Sequence, residues 1–144
     1  MNILGIGPRI AASGILSLAA ILIVSFNRKP FGYWFIPDAI RAGLGTLLIV
    51  AGIYLWLASV WLIATRFKSG VLITVGVYRI VRNPMYSGFI VFIVPGISLI
   101  LNNPLIILSS IVMMLVFRMS IHREEQYLKQ QFGAAYQEYM SSIL

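Results

Sequence analysis

Two short runs of this chain concentrate the residue types that hold and transform small molecules. One is Thr74-Val75-Gly76-Val77-Tyr78-Arg79-Ile80-Val81-Arg82-Asn83-Pro84-Met85-Tyr86-Ser87-Gly88; the other is Arg123-Glu124-Glu125, with two of the four acidic residues. Together they offer carboxylate acceptors in Glu124 and Glu125 and donors in Arg82 and Asn83. Tyr78, Tyr86 and the stretch Val71-Leu72-Ile73 add an aromatic or apolar slot. Such a set complements a small ligand with hydroxyls, an ammonium, a carboxylate and a flat ring, and carboxylates beside tyrosine faces also favour a cationic centre. Gly76 and Gly88 permit close backbone approach, while Pro84 biases Asn83 away from helix and suits a first helical position. The same residues also read as an ordinary basic loop with an interfacial tyrosine, and as surface ion pairs of small energetic weight.

The choice between these readings depends on the elements that carry the two runs. Of the 144 residues, 60% are hydrophobic and only 10% charged, and mean hydropathy is +0.92. A soluble domain carries about a quarter charged residues, so water is not the main solvent of this chain. A bilayer core needs roughly 20 apolar residues as helix. Residues 10–26 and 42–64 meet that length, the second bounded by Arg41 and Arg66 with Tyr54, Trp56 and Trp61 as interfacial anchors. Two shorter runs, 86–101 and 105–118, are separated by Asn102-Asn103-Pro104, which predicts a helical hairpin with a kink at Pro95-Gly96. The second arm continues past Arg118 without a helix breaker before Gly133, so a helix over 119–142 should project from the membrane. Its last stretch, weakly amphipathic through Tyr136, Tyr139 and Met140, is expected at the interface. The expectation is one all-α domain over 1–144, an integral membrane bundle of about four short transmembrane helices with loop 65–85 on the side of the projecting helix. The hairpin makes neighbours of the Asn83 and Glu124 ends.

Charge fixes an expected orientation. Arg9, Arg66, Lys68, Arg79, Arg82, Arg118, Arg123 and Lys129 fall on one face of a four-span arrangement, against Arg28, Lys29 and Arg41 on the other. The positive-inside rule then puts both termini and the polar clusters in the cytoplasm. The net charge of +7 is read as topology and attraction to anionic head groups, not as a nucleic-acid footprint. With no cysteine and only His122 as histidine, a disulfide framework and a thiolate nucleophile are excluded, and no metal centre is expected. Arg9 before an apolar stretch resembles a signal sequence, but no small-residue cleavage site follows, so 10–26 is read as a span.

The blocks Gly76-Val77-Tyr78, Arg82-Asn83-Pro84-Met85-Tyr86-Ser87-Gly88, Glu124-Glu125-Gln126-Tyr127-Leu128 and Phe132-Gly133-Ala134-Ala135-Tyr136-Gln137-Glu138-Tyr139 occur in this order around an apolar hairpin. This arrangement resembles the isoprenylcysteine carboxyl methyltransferase and phospholipid methyltransferase superfamily. Its pattern reads G-x-Y-x-x-x-R-H-P-x-Y-x-G, a hairpin, E-E-x-x-L and F-G-x-x-Y-x-x-Y. The likeness covers roughly residues 70 to 140. It implies S-adenosyl-L-methionine as cofactor, whose groups match the donors and acceptors above without those residues singling it out. It implies a cofactor pocket from Val71, Leu72, Ile73, Tyr78, Arg82, Asn83, Pro84, Met85, Tyr86, Glu124 and Glu125, and a lipophilic acceptor arriving sideways from the bilayer. Asn83 stands where the family most often has histidine, and it donates but cannot act as acid or base. Ser120 stands where isoprenylcysteine enzymes carry an arginine that holds the acceptor carboxylate; Arg118 and Arg123 lie nearby.

Methyl transfer from a sulfonium is an in-line displacement that asks chiefly for alignment and exclusion of water. A carboxylate or thiolate acceptor needs no base; an amine must be neutral to react, and Glu125 or Tyr86 is the candidate proton acceptor. Isoprenylcysteine-like carboxyl methylation is the first reading and N-methylation of an ethanolamine phospholipid the second. A non-catalytic scaffold and a small transporter are the readings from other classes. The transporter is disfavoured because it would be expected to bury an ionisable residue mid-span, and none of the four spans has one there.

Overall fold

Runs of apolar residues without breakers satisfy their backbone internally in a bilayer by becoming helices. The computed structural model describes residues 7–27, 33–66 and 71–143. It contains α1 (Gly7–Asn27), α2 (Asp38–Arg66), α3 (Pro84–Ile100) and α4 (Ile107–Ser142). Among the described residues, three helical stretches, Pro8–Ser25, Asp38–Arg66 and Pro104–Ser142, are long and apolar enough to cross a membrane. The apolar helix α3 is shorter than these. Arg28, Lys29 and Lys68, which entered the charge count, lie outside the described residues.

α2 starts at Asp38 and ends at Arg66, charges that suit the two ends of the helix dipole. Gly45, Gly52 and Ser59 recur every seventh residue, two turns apart, and with Leu62 form its buried face. α3 runs antiparallel along this stripe with its backbone in contact. A Cβ at Gly52 would lie 2.7 Å from the Gly88 carbonyl oxygen, and one at Gly88 would lie 2.8 Å from that of Gly52. Gly45 and Gly96 repeat the arrangement, at 2.9 and 2.8 Å. The paired glycines are seven apart on α2 and eight apart on α3. The surplus residue is taken up by a π-helical turn over Gly88–Ile93, where the Val94 N–H reaches back five residues to the Phe89 carbonyl. The irregularity expected at Pro95-Gly96 therefore appears as a wider turn just before Pro95. Proline has no N–H to donate, and its ring crowds the carbonyl one turn back, so a wide turn there relieves both problems.

The hairpin apex is tied on all sides. Asn102 adopts a positive φ of 50°, and the Asn103 side chain accepts from the Leu105 N–H at 3.1 Å while donating to Ser25 of α1 at 2.9 Å. Trp34 donates its backbone N–H to the Asn102 side chain at 2.9 Å and its indole N–H to Ser98 at 3.2 Å. Arg41 donates to the carbonyls of Leu99 and Ile100 at 2.7 and 3.0 Å, closing the C-terminus of α3, and pairs with Asp38. α1 lies against α4, with Ile10 beside Met113 and Ile121 in the largest core cluster. α4 continues unbroken to Phe132, then turns at Gly133, whose φ of 53° and ψ of −123° belong to no helix.

Candidate active site

The site is built at the end of the hairpin away from the apex. Asn83 precedes the helix, Pro84 takes its first position, and the Ser87 N–H closes the first turn on the Asn83 carbonyl at 3.0 Å. Within this turn Tyr86 points inward, 9% exposed, with its ring 5.5 Å from that of Phe117 on α4. Its hydroxyl donates to the Glu124 carboxylate at 3.2 Å. The two chemistry-bearing runs, 38 residues apart along the chain, thus meet directly.

The loop before α3 is held by different neighbours. Ile73 and Val77 are buried against Leu62 of α2, and Gly76 starts the short 3-10 turn Gly76–Arg79 at a φ of 62°. Burial above all, then the charges of Tyr139 and Glu124, pushes the Tyr78 phenol well above its ordinary range, while Ser59 of α2 opposes this. Leu72 packs into a separate cluster with Tyr136, Tyr139 and Ile143, which lie beyond the Gly133 turn. The Tyr139 hydroxyl donates to the Tyr78 carbonyl at 2.8 Å, and Arg82 reaches the Met140 sulfur at 3.6 Å. Tyr136 is pushed up to about 12 by burial, then by Glu125 and Tyr139, against the lowering effect of Arg82. Tyr139 is raised by burial, again against Arg82. The last segment therefore folds back over the loop, where its tyrosines find apolar cover and a carbonyl.

Tyr86, Glu124, Met85 and Pro84 sit together, with Asn83 half-buried at the helix start. Glu125 is half-buried one position on, its carboxylate 3.9 Å from His122 Nδ1. Tyr78 and Leu72 are half-buried, Ile73 is buried, and Val71 and Arg82 are exposed. Arg118 and Arg123 are also exposed, and at roughly 100° per residue both point well round α4 from Glu124. Ser120, one turn before Glu124, is buried. Among the described residues no group of three or more metal-ligating side chains occurs.

A family model described as phospholipid methyltransferase matches residues 40–135, from the start of α2 to just past the Gly133 turn. The chain belongs to this family. Arabidopsis thaliana protein-S-isoprenylcysteine O-methyltransferase B is 42% identical over 73 residues, which are 50% of this chain and 36% of that protein. A probable protein-S-isoprenylcysteine O-methyltransferase of Oryza sativa subsp. japonica is likewise 42% identical over 73 residues, 50% of this chain and 38% of the relative. The Schizosaccharomyces pombe protein-S-isoprenylcysteine O-methyltransferase is 35% identical over 78 residues, 54% of this chain and 33% of its own length. The chain thus spans little more than a third of the curated relatives it matches, and no solved structure matches it.

Four contributors to the site escape the residue-by-residue reading. Ser59 shows itself only as the third member of the seven-residue stripe, and Phe117 looks like any apolar residue of a span. Tyr136 and Tyr139 stand in the quoted F-G-x-x-Y-x-x-Y block, but nothing local says which segment they cover.

Proposed function

We propose that the chain transfers a methyl group from S-adenosyl-L-methionine to a lipophilic acceptor resident in the membrane, in the manner of isoprenylcysteine carboxyl methylation. The observation that carries this reading is the hydrogen bond from Tyr86 to Glu124, which joins the two motif-bearing runs at one end of the bundle. The donor set suits the cofactor. Half-buried Glu124 and Glu125 accept from hydroxyls and an ammonium, Arg82 and Asn83 donate to a carboxylate, and Tyr78, Met85, Pro84 and the stretch Val71-Leu72-Ile73 offer a slot for a flat ring. When bound, the cofactor supplies an electrophilic methyl on a sulfonium.

The protein's own part is electrostatic and geometric. Tyr86 fixes the orientation of Glu124, and two carboxylates beside tyrosine rings stabilise positive charge in a place partly screened from water. Arg118 and Arg123 are exposed and turned away from Glu124, so their part is to attract an anionic head group to this end of the bundle and not to hold the acceptor at the carboxylates. The supporting arrangement has all four helices crossing or nearly crossing the bilayer, α3 as the short one, with both termini and the site cytoplasmic. The acceptor's hydrocarbon part stays in lipid and its reactive head meets the Tyr86 end of the hairpin.

A second acceptor class has its own support. Ser120 leaves no cation one turn before Glu124, and the matching family model is described as phospholipid methyltransferase. For an ethanolamine head group, Glu125 would take the ammonium proton, leaving the nitrogen lone pair free to attack.

The test is calorimetric titration of detergent-purified protein with S-adenosylhomocysteine, beside the double variant Glu124→Gln, Tyr86→Phe. Binding that the double variant weakens tenfold or more, about 1.4 kcal/mol, supports the reading. Folded wild-type protein that does not bind overturns it in favour of a scaffold. Labelled methyl transfer to N-acetyl-S-farnesylcysteine or to phosphatidylethanolamine in mixed micelles then separates the two acceptor classes.

A further inference from the structure

The loop assigned to the cofactor, residues 71–83, is not held in place by helix pairing alone. On one side Ile73 and Val77 rest against Leu62 of α2. On the other side the hold comes from beyond Gly133, through three separate contacts. Leu72 packs with Tyr136, Tyr139 and Ile143, the Tyr139 hydroxyl lies 2.8 Å from the Tyr78 carbonyl oxygen, and Arg82 lies 3.6 Å from the Met140 sulfur. All three loop residues belong to the proposed cofactor pocket.

The C-terminal segment reaches the loop only because α4 bends at Gly133. Continued straight, its last ten residues would run about 15 Å further along the helix axis and away from the loop. No heavy atom lies within 4 Å of a Cβ built at Gly133, so glycine is required there by the positive φ and not by crowding. Past the bend, Tyr136 and Tyr139 are three residues apart on one helical face, 4% and 8% exposed, with ring centres 6.3 Å apart. The element they secure is a 3-10 turn of four residues, entered through a glycine at a φ of 62°. So short an element has little stability of its own, and a ligand that must first order it binds more weakly.

We propose that the segment 134–143 is a clamp on the cofactor loop, and that Tyr139 is the positioning residue that sets cofactor affinity through its hydrogen bond to the Tyr78 carbonyl. This inference rests on the methyltransferase reading above. Tyr139 acts through the backbone of Tyr78 and is not a catalytic residue.

Tyr139→Phe removes one oxygen and keeps the ring. In the full chain in detergent, its dissociation constant for S-adenosylhomocysteine should rise roughly three- to tenfold, the range expected for one net hydrogen bond. The ligand-free unfolding midpoint should fall by no more than about 5 °C, since a single part-buried hydrogen bond is a small part of total stability. Hydrogen exchange should quicken in peptides spanning 71–82 and stay as in wild type over 107–120. Tyr127→Phe, on α4 before the bend, should match wild type in all three measurements. Unchanged affinity in Tyr139→Phe, with wild-type protein binding normally, overturns this proposal alone. So does an affinity loss that comes with a midpoint lowered well beyond about 5 °C and faster exchange throughout, which would make the residue merely structural. Wild-type protein that binds no S-adenosylhomocysteine overturns the methyltransferase reading and this proposal with it.

Discussion

Gly52→Ala tests the backbone contact that positions α3, and Gly43→Ala on the same helix is its control. Both changes exchange glycine for alanine inside α2, so the intrinsic gain in helix propensity, about 1 kcal/mol, cancels in the comparison. At Gly43 nothing lies within 4 Å of the new methyl. At Gly52 the methyl would be 2.7 Å from the Gly88 carbonyl oxygen, 2.7 Å from Ile93 Cγ1 and 2.9 Å from Phe92 Cβ. Ordinary contact needs roughly 0.7 Å more, and the nearest atom is backbone, so α3 must move as a unit. Overpacking of this kind costs about 1–3 kcal/mol, which for a chain of this size separates the two variants by roughly 3–12 °C in melting temperature. The assay is the thermal loss of helical circular dichroism in detergent; the absence of cysteine rules out thiol-reactive dyes. Gly52→Ala should melt below wild type and Gly43→Ala at or above it. Equal melting temperatures for the two variants would refute the glycine contact as the determinant of helix register.

Arg41→Met should lower stability by about 1.5–3 kcal/mol, because the guanidinium closes the Leu99 and Ile100 carbonyls in a site only 11% exposed. Affinity for S-adenosylhomocysteine should stay within about twofold, since the residue sits at the apex and the site at the other end; a larger loss would show that the apex is coupled to the site. Tyr136 has a folded pKa raised to about 12 from an ordinary value near 10, so the unfolded chain loses that proton first as pH rises. Its stabilisation is therefore complete below about pH 10 and disappears toward pH 12, so melting temperature should be level to pH 9 and then decline. Tyr136→Phe should reduce that decline, and an identical profile in the variant would remove the phenol from the account.

Much of the architecture follows from local physics and is legible along the chain. The helices lie where apolar runs demand internal hydrogen bonding, and Asn102-Asn103-Pro104 turns the chain because proline and a left-handed asparagine cannot continue a helix. Gly133 ends the straight part of α4 for a similarly local reason. The chemistry-bearing blocks are recognisable because their residue types and spacing do not depend on what they touch. Even the approach of the Asn83 and Glu124 ends follows from arm lengths alone.

The contacts themselves are decided at a distance. That Tyr86 donates to Glu124 depends on the relative rotation and rise of α3 and α4, and a slip of one residue would turn either side chain through about 100°. α3 is seated on α2 by two pairs of touching glycine backbones, and the eight-to-seven mismatch between them is resolved by a π turn that no local signal announces. The outward turn of Arg118 and Arg123 comes from the same rotation. The return of Tyr136 and Tyr139 onto Leu72 and Tyr78 needs both the Gly133 bend and a loop already seated on α2. The sequence by itself determined the solvent, the helices and the residues that can do chemistry, since these are local properties of composition and backbone. Only the tertiary structure decided which of those residues meet, because that depends on hydrogen bonds and close packing between residues such as Tyr86 and Glu124, 38 apart, and Tyr78 and Tyr139, 61 apart in the chain.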